Sequence, residues 1–345
     1  MKIDRFAARA IVLLTLLLLA TAAASAAGGF KVVRRLPLGG EGGWDYILAD
    51  AASHRLFVTR GTHVAVVDMR TDSVVGDIPN TAGVHGVALA PQLSRGFTSN
   101  GRDSSVTVFD LKTLATIASV KLPARNPDAI VYDPASGRVF TLNGGSGNAT
   151  AIDARTSAIA GSVALGGRPE FAAVDGAGKL FVNLEDSSAI VAVDTRKLQV
   201  LARWPIAPGE EPSGLALDRA HGRLFSVCGN RKLVVVDAVK GAVIDTLPIG
   251  QGVDAVAWDA TRALVFSSNG EGTLSVFHQD TPDRYSAVET TTTERGARTL
   301  ALDESTGTLY LPTADFGPPP PATPDRPHPR PSIVPGSFRV LVVKR

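Results

Sequence analysis

The chain has 345 residues, with 35 Lys and Arg against 33 Asp and Glu, 6% aromatic residues and one cysteine, Cys228. Lys2, Arg5, Arg9 and Asp4 lie in an N-terminal leader, so residues 28–345 carry no net charge with His neutral. No global charge therefore points to nucleic acid or an anionic membrane, and a lone cysteine excludes an internal disulfide.

The leader reads MKIDRFAARA, then the apolar run IVLLTLLLLA, then the small residues Ala24-Ser25-Ala26. This pattern predicts a secretory signal peptide over residues 1–27, with an apolar run too short to span a bilayer. The remainder, 28–345, is expected to be one domain, periplasmic or secreted, without a membrane span once the leader is removed. No C-x-x-C-H occurs, which excludes covalent c-type haem.

Next comes FKVVRRLPL, Phe30 to Leu38, a strand with no partners preceding it. From about Trp44 onward the chain repeats. In Pro127 to Arg168 four β-type runs, AIVYD, RVFTLN, ATAID and AIAGSVAL, are separated by the turn formers DPASG, NGGSG and DARTS. The Phe of the second run recurs at Phe57, Phe97, Phe140, Phe181, Phe225 and Phe266, then as Tyr310, at intervals of 40 to 44 residues. Four strands per unit at this period predict a β-propeller, all-β, with seven four-stranded antiparallel blades.

Blades one to five are expected at about Trp44–Asn80, His85–Leu122, Pro127–Leu165, Pro169–Ile206 and Pro212–Ile249. The sixth, from Val253 to about Thr292, is the most divergent, ending its third run in Phe277-His278. The last unit, from Ala297, has only three runs, so Phe30–Leu38 is expected to supply its fourth strand and close the ring. The first runs of the units are apolar at nearly every position, as expected of strands buried on both faces. Asp68, Asp110, Asp153, Asp194 and Asp237 end the third runs, and Asp133, Asp218, Asp259 and Asp303 the first. Both sets read as turn residues that accept backbone N–H groups. Residues 317–336, GPPPPATPDRPHPRPSIVPG, interrupt the last blade; their prolines predict a polyproline-II-like or disordered insert, placed as a lid over the channel mouth or a docking segment.

In an antiparallel blade the start of the first strand and the end of the second lie on one face beside the channel. The first-strand starts are Asp45, His85, Asp128, Glu170, Ser213, Asp254 and Arg298. The second-strand ends are Arg60, Asn100, Asn143, Leu184 (with Asn183 beside it), Cys228, Asn269 and Thr313. Carboxylates, amides and one His aimed at one mouth suit a polar ligand or a hard cation such as Ca²⁺, with Asp128 and Glu170 the neighbours expected to share an ion. A His near paired carboxylates could also serve as a general base. Each of these residues also has a bland reading, since turn positions favour Asp, Asn and Ser to cap the backbone. At Cys228 a small buried hydrophobe is the expected role.

The second runs FTSN, FTLN and FSSN, followed by VTVFD, ATAID or LSVFH and a Pro-initiated next unit, resemble the YVTN-type β-propeller repeat. Blades one, four and five depart with FVTRG, FVNLED and FSVCGN. The resemblance spans residues 28–345 and implies an exported bacterial propeller. Similar propellers include haem d1, nitrous oxide and amine dehydrogenase domains and lactonases, and some relatives bind nucleic acid. No H-E-x-x-H, G-x-S-x-G or P-loop is present. The expected function is therefore a non-catalytic, monomeric propeller without a cofactor that binds a small molecule or an envelope protein through its channel face. The alternative is a metal-assisted, lactonase-like hydrolase using Asp128, Glu170, Asp254 and His85. Nucleic acid is not expected, because the few aromatics sit mostly at core positions.

Overall fold

The computed structural model describes residues 28–321 and 331–345; the expected signal peptide lies outside them, as do Arg326, His328 and Arg330 of the insert. Residues Phe30–Lys344 form one compact unit.

Its strands fall into seven four-stranded antiparallel sheets. Blade one is Ile47–Asp50, Arg55–Thr59, Val64–Asp68 and Ser73–Ile78, and the next five repeat this order. The first strands of blades two to seven begin at Val84, Pro127, Pro169, Pro212, Val253 and Ala301. Each touches the next, and that of blade seven, Ala301–Asp303, touches Ile47–Asp50, so the ring closes. Blade seven takes its outer strand from Lys31–Pro37, paired with Arg339–Lys344. The closure expected from the incomplete last repeat is thus present. Phe30 fixes it further: its N–H donates to Glu289 Oε1 (2.9 Å), its carbonyl accepts from Thr291, and its ring meets Phe266 edge-on at 5.2 Å.

The cores lie between blades. Phe57, Phe97, Phe140, Phe181, Phe225 and Phe266 are at most 2% exposed, so the 40-to-44-residue period marks one buried aromatic per interface. Burial of each such ring contributes about 2–3 kcal/mol. One expectation is corrected here. The strands buried throughout are the second and third of each blade, whereas first strands such as Val253–Asp259 are half-buried. Their free edge borders the channel, so their apolar character serves packing against neighbouring blades rather than complete enclosure.

The recurrent aspartates are turn residues, as expected. The Asp153 carboxylate accepts the N–H groups of Arg155 and Thr156, and Asp110, Asp194 and Asp237 repeat the pattern. The bonds to Thr156 hold the carboxyl of Asp153 below the usual range, against a weaker opposing effect of burial. The insert differs from expectation at its described ends. Phe316 bridges Ile333, Gly317 N–H donates to Ser332, and Val334 N–H donates to Asp315. The prolines cluster beyond this point, which leaves donors at the base free to pair.

Candidate functional site

The first-strand starts converge. His85 Nδ1 lies 2.6 Å from Asp45 Oδ2 and 3.6 Å from Asp128 Oδ1, which joins blades one, two and three. Donor atoms of Asp45, His85 and Asp128 all lie within 4.8 Å of one another, a spacing that can hold a metal ion. Arg298 pairs with Asp254 at 2.9 Å, and Arg168 lies 3.8 Å from Glu170 and 2.8 Å from Glu185.

Tyr46 stands among these groups. Burial first, then the charges of Asp128, Asp45, Asp254 and Glu170, push its phenol well above the ordinary value. Carboxylates from blades one, three, four and six therefore surround one ring. Tyr46 also meets Phe171 of blade four at 4.9 Å between centroids. Blades one and four are not neighbours, so this contact crosses the ring axis.

Electrostatics in the mouth are under-compensated. Burial and the charges of Asp128 and Asp254 push the Glu170 carboxyl up to about 8. Asp128 is raised to about 7, chiefly by burial, with Asp45 and Asp254 adding to it and His85 opposing. Burial disfavours charge on His85, yet the hydrogen bond its Nδ1–H donates to Asp45 and the surrounding carboxylates outweigh it and lift the imidazole to about 9. Asp128 Oδ1 is buried and has no hydrogen-bond partner. Such an atom normally costs a few kcal/mol unless something satisfies it.

A device absent from the sequence reading positions these side chains. Ser99, Asn183 and Ser268 sit two residues after the recurrent Phe, on the opposite face of their strand from Asn100, Leu184 and Asn269. Each bonds the first-strand backbone of the next blade: Ser99 the carbonyl of Asp128, Asn183 those of Ser213 and Gly214, Ser268 that of Arg298. Thr299 does the same for Asp45 at 3.0 Å. The signal is the residue before the strand end (FTSN, FVNL, FSSN): Asn183 is among the expected residues, whereas Ser99 and Ser268 are not.

The second-strand ends do not join the site, which corrects the expectation for them. Asn100, Asn143 and Asn269 are fully buried and bonded within their own blades. Asn143 Nδ2 donates to Asn148 and Thr150 and its Oδ1 accepts from Thr141; Asn100 and Asn269 copy this with Ser105, Thr107 and Thr98, and with Thr273, Ser275 and Ser267. They lie one strand out from the axis, on a face where the third strand offers Ser and Thr. Asn183 is held by its backbone bonds and by Ser226. Arg60 is 3% exposed, donates to the carbonyls of Gly39 and Glu41, and lies over the Phe338 ring at 3.6 Å. Thr313 donates to the Arg295 carbonyl, and Leu184 is core. Cys228 is buried, with its thiol pushed up to about 12, and is inert. Glu170, expected to share an ion with Asp128, is outside the close triad, whose third member is Asp45. Asn143→Ala should cost about 2 kcal/mol by stranding the Thr150 and Asn148 side chains, measured by denaturant unfolding, with no change in ligand uptake at the mouth.

No family model and no curated protein matches the sequence. Solved structures do. A chain of Kuenenia stuttgartiensis hydrazine synthase is similar over 80% of this chain and 92% of its own, with TM-score 0.69 and 17% identity. A chain in a crystal structure of the mitotic checkpoint complex is similar over 94% and 95%, with TM-score 0.73 and 13% identity. The likeness is one of fold. This chain is a seven-bladed β-propeller.

Proposed function

We propose that this propeller is an exported, non-catalytic binding protein of the YVTN-repeat kind whose channel mouth takes a divalent cation on Asp45, His85 and Asp128. The observation that carries the reading is the buried Asp128 Oδ1, which has no hydrogen bond and lies 3.6 Å from His85 Nδ1, with Asp45 completing three donors from three blades. Raised carboxyls point the same way, because a cluster that retains protons lacks positive charge which a cation would supply. One imidazole and two carboxylates suit Zn²⁺ or Mn²⁺ better than the all-oxygen preference of Ca²⁺. Ligation requires His85 to lose its proton, so uptake should strengthen as pH rises. Open coordination positions would face the mouth, where a small molecule or an envelope protein would dock.

Metal stripped by a chelator and returned as Zn²⁺ or Mn²⁺ should bind at one equivalent in calorimetry. No uptake, or uptake undiminished in Asp128→Asn, overturns the reading. Glu170 favours a second reading, metal-assisted hydrolysis of a lactone, because a carboxyl near 8 beside an open metal position can act as a base. Lactone turnover by the metal-loaded protein, abolished in Glu170→Gln with uptake retained, would establish it.

A further inference from the structure

Beside the acidic cluster lies a second concavity of different chemistry. Its volume is about 380 Å³, and its lining includes Gly43, Trp44, Arg295, Arg298, Phe316 and Ile333. This falls in the range of small-ligand pockets. Trp44 tilts against Phe316 at 6.1 Å and Phe338 at 5.2 Å, and the paired base of the insert brings Phe316 and Ile333 to the same wall. Gly296, with φ +85°, leaves room for that wall; a Cβ there would stand 2.5 Å from the Phe316 ring.

The charge here is positive. Arg295 is exposed, and its guanidinium lies 5.8 Å over the Phe316 ring. Glu294, next to it in the chain, pairs with Arg35 and Arg339, and Glu271, whose neighbour Gly272 lies against the Arg295 backbone, bonds Gln251 N–H and Thr273. Arg298, which pairs with Asp254 through Nε, adds a second guanidinium. Two guanidinium groups beside an aromatic wall suit a planar anion, since guanidinium matches a carboxylate fork and stacks on rings.

We infer that this cleft binds a carboxylate carried on a flat apolar body, with the anion on Arg295 and Arg298 and the body against Trp44, Phe316 and Ile333. The inference does not rest on the cation site. Calorimetry in the presence of a chelator, with 2-naphthoate as probe and 2-naphthylmethanol and 2-naphthylmethylamine as its neutral and cationic counterparts, tests it. Naphthoate should bind one to one, the alcohol about 10-fold more weakly, and the amine not at all. Arg295→Gln, on an exposed side chain, and Phe316→Ala should each weaken naphthoate about 10-fold and leave Zn²⁺ uptake intact. Equal affinity for acid and alcohol, no heat with naphthoate, or undiminished binding in Arg295→Gln would overturn it.

Discussion

Asp128→Asn is expected to weaken divalent-cation uptake by about 100-fold or more, with His85→Gln having an equal or larger effect. Each removes one of the three close donors found among the described residues, and even outer contacts to a metal are worth about 10- to 100-fold. The Asn side chain fits the same space, and the Asp128 backbone remains held by Ser99, so the ring should stay folded. In the metal-free protein Asp128→Asn should if anything raise stability, because it replaces a buried acid with a neutral group. Gly101→Ala gives an independent approach, since a Cβ there would stand 2.6 Å from His85 Nε2 and displace the imidazole. Calorimetric titration with Zn²⁺ reads all three variants. Uptake at wild-type strength in the first two would remove these residues from any metal site.

The second large effect concerns pH. In chelator, melting temperature should fall as pH is raised from about 5 to 9. The folded chain keeps the His85 proton to about 9, that of Glu170 to about 8 and that of Asp128 to about 7. Their ordinary values lie lower, so over this window the folded state binds more protons than the unfolded one and stability declines with pH. For His85 the contribution is complete below its ordinary value and is lost as pH passes about 9. For Glu170 and Asp128 a penalty accumulates once the unfolded carboxyls ionise. The turn residues Asp110, Asp153, Asp194 and Asp237 have the opposite sign: their lowered carboxyls stabilise above the ordinary range and lose that on acidification. The maximum should therefore sit near pH 5. Of the groups facing the cluster, Asp45, Asp254 and Glu185 add to the loss and Arg168 moderates it, while Arg298 is matched by Asp254; the loss should be on the order of 3 kcal/mol, or roughly 6 °C. Zn²⁺ at about 100 times its Kd should restore about 2.7 kcal/mol at pH 8. A melting temperature that climbs from pH 5 to 8 in chelator would refute the electrostatic account.

The architecture was readable because each blade interface demands the same buried ring, so Phe57 through Tyr310 recur with the spacing of the fold itself. Closure was readable too, since a three-run final unit and an orphan N-terminal run have one economical solution. The site was half readable. First-strand starts such as Asp45, His85 and Asp128 converge because seven inner strands share an axis, and that follows from topology alone. The second-strand ends misled because strand direction gives position along a blade, whereas the side-chain face depends on period-two alternation against the third strand. Asn100, Asn143 and Asn269 point at the Ser and Thr of that strand; Ser99 and Ser268, one step earlier, reach the next blade. Tyr46 and Phe171 escaped notice because a contact between blades one and four has no counterpart in the repeat. The same holds for the cleft at Trp44, whose wall is assembled from the least periodic parts of the chain.

That cross-axis pair has a further consequence. With Tyr46 resting against Phe171, blades one and four are tied directly across the axis as well as through the blades between them. The acids that act on Tyr46, from blades one, three, four and six, are thereby referred to one ring held from both sides of the axis.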